Sequence, residues 1–484
     1  MRLFWLLAFL PVVVRARQPH TFFAAGKTIN VQSFNNKVKH IMDEVGVPGL
    51  SLAIINNDSI VFFNTYGFKD VQKKEAVDAQ TIFEACSLSK NYLAFVAYQL
   101  VDEGKLDLDK PMYKYLEYEP LKHDDRYKLV TTRMVLSHCS GIENWKHENN
   151  PDTMEILSDP GTKFIYSGEG YQYLAQVIAL LLNKPYLEYM QERVFGRLNL
   201  QRTFARYTDG GAYPTDYAVG YDNFGRPIDV WKNLEPVPAS GIHTTAKDHA
   251  KLITSFFNDK YLSHERIKDI IMPMIKLHGD KVQAYYGPGF EVSYQPHDTV
   301  ISHGGNNPGF KTQVFYSINR KCGFVYMSNG NLGKLLSKAL SEISVQLDVN
   351  PFFADDFYEQ YPCPALTLLK VYRQQNSDAM LAALQKMKKQ ANGKIGINTL
   401  NQLGDILASG GELDLAKKMA EENTKLYPGS SQAYYLLGAI SFYQKEYQSA
   451  YTNLRKAKDL NYNDDPGIDY YIKVSAENLG KNDR

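Results

Sequence analysis

The spacing of apolar residues changes several times along this chain, and each change predicts an element. Phe34, Val38, Ile41, Met42 and Val45 recur every three or four residues, which predicts an amphipathic helix over Phe34–Val45. Leu50–Ile55 and Ile60–Phe63 read as strands joined by the turn Asn56-Asn57-Asp58. Leu93, Val96, Ala97 and Leu100 return to helical spacing, so a helix starts at or near Ser87 and ends near Glu103-Gly104. Arg133–His138 reads as a short helix. Glu169–Leu182 reads as a longer one, stopped by Asn183-Lys184-Pro185. Thr245–Phe257 is helical behind the capping chemistry of Thr244-Thr245. Lys311–Tyr316 and Cys322–Met327 read as paired strands, and Leu335–Val349 as a closing helix. Strands at both ends with helices between predict an α+β domain: one antiparallel sheet whose terminal strands meet, plus a helical subdomain. Residues 206–236, rich in Gly, Asp, Tyr and Pro, show no period and read as a long surface loop of the kind that borders sites.

A different pattern follows. Residues 350–364 carry Pro351, Pro362 and Pro364 among acidic residues and read as a linker. Beyond it Leu400, Leu403-Gly404 and Ala416 recur as Tyr434, Leu437-Gly438 and Ala450, each 34 residues later. Carried backwards, the frame meets Leu366, Leu369 and Ala382, with Lys370 where the glycine falls. Small residues at these places let paired helices approach closely, a pattern that resembles the tetratricopeptide repeat; Ile468–Leu479 would cap the stack. The expected organisation is a signal peptide over 1–17, the α+β domain over 30–349, the linker over 350–364 and an α-helical repeat domain over 365–480.

The first segment rests on Arg2 followed by the apolar run Leu3–Val14 and the small residue Ala16. That run is short for a bilayer span but suits an export leader, so the mature protein is expected to be periplasmic or secreted, without a transmembrane segment. Among the 484 residues, 54 Lys+Arg stand against 53 Asp+Glu, a balance that gives no sign of a nucleic-acid partner. Cys86, Cys139, Cys322 and Cys363 allow three full disulfide pairings but match no metal spacing. Buried free thiols are the favoured reading, since a large core does not need staples.

Candidate chemistry begins at Ser87-Leu88-Ser89-Lys90. Spacing of three places Ser87 and Lys90 one turn apart on one helix face. A serine hydroxyl becomes a nucleophile when a neighbouring base takes its proton, and a lysine amine is such a base when burial keeps it neutral. Alone, Ser-x-x-Lys is a frequent accident. It gains weight from Leu136-Ser137-His138-Cys139-Ser140-Gly141, Tyr166-Ser167-Gly168, Ala239-Ser240-Gly241-Ile242 and Ser302-His303-Gly304-Gly305-Asn306, which follow in that order.

With these motifs the chain, over about residues 36–348, resembles the family of class C serine β-lactamases, D-alanyl-D-alanine carboxypeptidases and related esterases. In that family Ser-x-x-Lys is followed by Tyr-x-Asn and then by Lys-Thr-Gly or His-x-Gly. The resemblance implies that Ser87 attacks a carbonyl and forms an acyl-enzyme. Lys90 and Tyr166 would share the proton work, with the choice of base between them open. The backbone N–H groups of Ser87 and Asn306 would form the oxyanion hole, and Gly304 and Gly305 would let the strand approach the acyl chain. His303 would offer a donor to Tyr166 or to a substrate carboxylate. No metal or organic cofactor is implied. The substrate would be a D-Ala-type peptide, a β-lactam or a small ester. The alternative is a binder that does not turn over, with the repeats holding a protein partner.

Two departures bear on specificity. Gly168 stands where relatives that cleave amides carry Asn, which is expected to open the pocket and weaken β-lactam recognition. His303 stands in place of a permanent cation. His138 and Cys139 read as structural. Trp145 and Trp231, in irregular stretches flanking the cleft, read equally as lining or as ordinary packing.

Overall fold

The structure is a computed structural model that describes residues 20–146, 152–207, 216–229, 231–277, 283–353, 359–392, 395–462 and 467–482. The leader expected over 1–17 and part of the 206–236 loop lie outside them. No helix among the described residues is long and apolar enough to cross a membrane.

Nine strands form one antiparallel sheet. From one edge they run Ile275–Lys276, Ala284–Gly287, Phe290–Gln295, Asp298–Asn307, Phe310–Ser317, Cys322–Ser328, Gly49–Asn56, Ser59–Asp70 and Glu75–Ala76. The expected meeting of the terminal strands is the pairing of Cys322–Ser328 with Gly49–Asn56, in register from Cys322↔Asn56 to Ser328↔Leu50. Three strands on the far side, between 275 and 295, carry no clear alternation in the sequence. The run Ala284-Tyr285-Tyr286-Gly287-Pro288-Gly289-Phe290 folds as a hairpin whose tyrosines and glycines mask the alternation.

Side chains on a strand alternate between faces, and the sheet uses both. Ala53, Ile55, Val314 and Val325 share one buried cluster with the helix Ala246–Phe256, which lies on the strands Gly49–Asn56 and Cys322–Ser328, and with the helix Ser89–Asp102. From Ser89 to Leu100 every residue of that helix is buried, so it is a central helix rather than an amphipathic surface one. Leu50, Leu52, Ile54, Phe315 and Phe324 face the other way, onto Phe34 and Val38 of the helix Val31–Val45. The closing helix is shorter than expected: it runs Ser337–Ile343 behind a 3-10 turn, and Gln346 has a left-handed backbone (φ 53°) that breaks it.

The C-terminal helices form antiparallel pairs. Ile397–Ser409 with Leu413–Leu426 is followed by Ser431–Tyr443 with Tyr447–Asp459, each helix starting 34 residues after its counterpart. These helices are consistent with the expected repeats. Gly438 sits at a crossing, where a Cβ would lie 2.7 Å from Cγ of Leu454.

No gap in the core separates the two parts. Leu366, Leu369, Leu400 and Leu403 belong to the same buried cluster as Phe34 and Leu52. Within the stretch read as a linker, Phe352 and Cys363 are buried, and the Phe352 ring lies 5.5 Å from that of Phe315. Arg373 donates to the carbonyl of Val45 at 3.2 Å and to that of Asn223 at 3.0 Å. Asn223, on the hairpin Gly220–Tyr221/Pro227–Ile228, donates in turn to Ile406 O at 3.1 Å and Ser409 Oγ at 2.7 Å. At its near end this hairpin touches the nine-stranded sheet: the backbones of Gly220 and Gly309 are so close that a Cβ on Gly309 would lie 2.7 Å from the Gly220 Cα. All four cysteines are buried and free of disulfides.

Candidate active site

Between Thr81 and Leu100 every residue is buried except Ser87, which is half-buried. The short strand Phe83–Glu84 pairs with His243–Thr244 and feeds the 3-10 turn Cys86–Leu88, ahead of the helix that starts at Ser89. Cys86 takes the left-handed region at φ 53°, an uncommon conformation for a residue with a side chain. Its thiol is pushed up by burial, which leaves it protonated and unreactive.

Neighbours fix this turn from several sides. The Ser89 hydroxyl donates to Cys86 O at 2.6 Å and accepts from Ile242 N at 3.0 Å. Thr312 donates to Ala85 O at 2.9 Å. A Cβ on Gly305 would lie 2.2 Å from Thr312 Oγ1 and 2.7 Å from Ala85 O, so only glycine lets the strand carrying Asn306 come this close to the nucleophile. Gly304 would meet only the flexible end of Gln313. Asn306 itself is exposed.

Three of the expected groups converge on one atom. Tyr166 donates to Ser87 Oγ at 2.7 Å, and Lys90 Nζ lies 3.3 Å from the same oxygen. Lys90 also donates to Ala239 O at 2.9 Å, and its ammonium lies 4.7 Å from the Tyr166 ring centroid. Burial lowers the Lys90 pKa to about 7, while burial pushes the Tyr166 phenol above its ordinary value. At neutral pH much of Lys90 is a free amine and Tyr166 is a phenol.

His303 sits beside them in a different geometry from the expected one. Nε2 lies 2.9 Å from the carbonyl of Ser87 and Nδ1 lies 2.8 Å from the Tyr286 hydroxyl. Burial lowers its pKa to about 3, so the ring is neutral. One nitrogen donates to Ser87 O and the other accepts from Tyr286, which leaves neither aimed at Tyr166. His138, read as structural, stacks on Tyr166 with ring centroids 4.1 Å apart and accepts from Ser167 N at 3.1 Å.

Gly168 is not the opening it was expected to be. A Cβ there would lie 2.5 Å from Cη2 and 2.6 Å from Cζ2 of Trp145. The indole fills the place of the missing side chain, and this overturns the expectation of a wider pocket.

A further set of residues near the site carried no motif. Glu84 accepts from Asn307 Nδ2 at 2.6 Å, which ties the nucleophile's strand to the end of the His-Gly-Gly-Asn strand, and from Trp231 N at 3.4 Å. Burial raises the Glu84 pKa to about 7. Lys311, lowered by burial to about 8, donates to Asn307 O at 3.1 Å. Glu291 is raised by burial to about 8. Only a buried acidic residue three positions before Ser87 could have hinted at this set.

Comparison with known proteins gives a concordant picture. The family model described as Beta-lactamase matches residues 34–343, more than half of the chain. A protein named flp from Staphylococcus aureus (strain MW2) is 23% identical over 342 residues, covering 65% of this chain, and the chain spans 66% of that relative's length. A β-lactamase from Pseudomonas fluorescens is 25% identical over 341 residues, covering 62% of this chain and 93% of the relative. A D-alanine carboxypeptidase from Burkholderia cenocepacia aligns with TM-score 0.55 at 20% identity, over 65% of this chain and 99% of that one. The octameric penicillin-binding protein homologue from Pyrococcus abyssi gives 0.56 at 22% identity, over 72% and 82%. These structures share its fold.

Proposed function

Since the chain belongs to the beta-lactamase family, we propose that it is an exported serine hydrolase that opens an ester or amide through an acyl-enzyme on Ser87. The observation that carries this reading is the double approach to Ser87 Oγ, by Tyr166 at 2.7 Å and Lys90 at 3.3 Å. Lys90 is the general base, supported by a pKa lowered to about 7 beside a phenol held protonated. Ser87 Oγ attacks the carbonyl carbon as its proton passes to Lys90 Nζ. The oxyanion forms against the N–H groups of Ser87 and Asn306. Tyr166, hydrogen-bonded to Oγ and lying beside the lysine, relays the proton to the leaving oxygen or nitrogen. Water then attacks the acyl-enzyme, with Lys90 again taking the proton. His303 acts by holding the Ser87 carbonyl, and with it the turn Cys86–Leu88 that carries the nucleophile, in place. Export rests on the apolar N-terminal run, and a protein-docking role for the helices rests on their 34-residue offset.

The test is intact-protein mass after incubation with an activated ester and, separately, a β-lactam, with Ser87→Ala as control. A Ser87-dependent gain that appears and decays is expected. Absence of any Ser87-dependent gain with the ester would sink the reading, and a gain that persists would make the protein a binder that does not turn over.

A further inference from the structure

We propose that Trp145 is the specificity-determining wall of the acyl subsite, and that the substrate's acyl group is an uncharged, apolar chain. The inference rests on the acyl-enzyme reading above and names its substrate class. Four observations carry it.

The first is position. Gly168 follows Tyr166 by two residues, and three atoms of the indole (Cη2, Cζ2 and Cζ3) lie within 2.8 Å of where a Cβ on Gly168 would be. The ring is where a polar side chain at 168 would otherwise project.

The second is rigidity. Asn144 Oδ1 accepts from Gly168 N at 2.8 Å and Asn144 O accepts from Glu169 N at 2.9 Å. Ser167 Oγ donates to Glu143 O at 2.9 Å, and Lys146 pairs with Glu169 at 3.4 Å. Residues on both sides of Trp145 are therefore bonded to the segment Ser167–Glu169. This holds the indole on the tyrosine motif as a preformed surface and limits the ordering cost of binding.

The third is exposure. Trp145 is 42% exposed and Phe164 37%, although both rings have buried neighbours. Phe164 lies 5.5 Å from Tyr286 and 6.1 Å from His138, so the aromatic surface continues from the motif towards the hydrogen-bond partner of His303. Large aromatic faces left open beside the tyrosine motif gain free energy when an apolar group covers them.

The fourth is charge. The basic groups bonded to Ser87 are Lys90 and His303, and burial brings both towards neutrality. A substrate carboxylate would find no fixed positive partner in that pair, and the buried carboxyl group of Glu84, bonded to Asn307 at the end of the same strand, would repel it when ionised.

The test compares kcat/KM for 4-nitrophenyl acetate and 4-nitrophenyl octanoate in the wild type, Trp145→Ala, Trp145→Phe and Gly168→Ala. The octanoate-to-acetate ratio is expected to fall about tenfold or more in Trp145→Ala and to recover most of its value in Trp145→Phe. Gly168→Ala, which must displace the ring, should lower the ratio without touching Trp145, and keeps the test alive if Trp145→Ala does not fold. An octanoyl ester ending in a carboxylate should be cleaved at least tenfold less efficiently than octanoate itself. An unchanged ratio in the folded variants, an equal loss on both esters, or parity for the charged chain would overturn the proposal. Ser87-dependent cleavage of acetate with any of these results would defeat the Trp145 inference alone. Failure of every ester to acylate Ser87 would defeat the acyl-enzyme reading with it.

Discussion

Around the sheet, the buried polar side chains include Glu84, Lys90, His138, His243, His249, His303 and Lys311. Among the described residues past Pro364 they are Thr399, Asn401, Gln402, Asn423, Ser441 and Ser475, all amides or hydroxyls. The repeat half uses its polar groups to hold helices in register: Asn423 donates to Asn401 Oδ1 at 2.7 Å and to Ile397 O at 3.0 Å. The part built on the sheet instead takes ionisable groups out of water, which is unfavourable for their charged forms and brings several of them near neutral pH: Lys90 and Glu84 to about 7, Lys311 and Glu291 to about 8. The difference separates a core that holds groups able to exchange protons near neutral pH from one that holds none of this kind among its described buried side chains. Clusters of shifted groups mark sites for this reason.

Lys90→Met tests that contrast most severely. Activity on an activated ester should fall by about 10²–10⁴-fold, the usual contribution of a general base. The lysine's pKa is lowered from 10.5 to about 7, so between these values the unfolded chain binds more protons than the folded one, and wild-type stability rises with pH through that window. Removing the amine removes this dependence, and the melting temperature at pH 7 should be at or above that of the wild type. A lower one would mean that the lysine is a stabilising group. By the same titration, wild-type kcat/KM on a neutral ester should rise about tenfold per pH unit up to about pH 7 and then level off.

Gly305→Ala should have the next largest effect. Its Cβ would meet Thr312 Oγ1 and Ala85 O, so the strand must withdraw from the nucleophile turn, at a cost of about 10²-fold in kcat. Near-normal kcat with a normal melting curve would show that the close approach is dispensable. Gly438→Ala is the matching change in the helices, where the new Cβ meets Leu454. It should lower stability by about 1–3 kcal/mol, measured by denaturant melts, and leave ester turnover within twofold. A larger loss of turnover would mean that the two cores are not separate in their tasks.

Much of this was legible in the sequence because it depends on short-range spacing. Ser87 and Lys90 are three apart and meet whether the turn between them is 3-10 or α, and the 34-residue offset transferred directly to helix starts. What was not legible depends on distant contacts. Trp145 reads as an aromatic in a loop until Asn144 binds the N–H groups of Gly168 and Glu169 and lays the indole over the motif. His303 belongs to a recognisable motif, but the direction of its donors is set by Tyr286, which no local pattern connects to it. Glu84 lies three residues before the nucleophile, yet its partner Asn307 is more than two hundred positions away.

Arg373 bears on how the whole chain comes apart. Its guanidinium, with pKa lowered by burial to about 10, bonds the end of the first long helix at Val45 and the tip of the hairpin at Asn223. The same hairpin presses Gly220 on Gly309, two residues past Asn307. Loss of the helical stack would uncover apolar surface and free the backbone carbonyls of Val45 and Asn223 at once. What looks in the primary structure like a domain followed by an appendage therefore shares one buried core, and its boundary at 350–364 is no place to cut the chain: a truncation there would leave Val45, Asn223 and the apolar face around Phe34 without their cover.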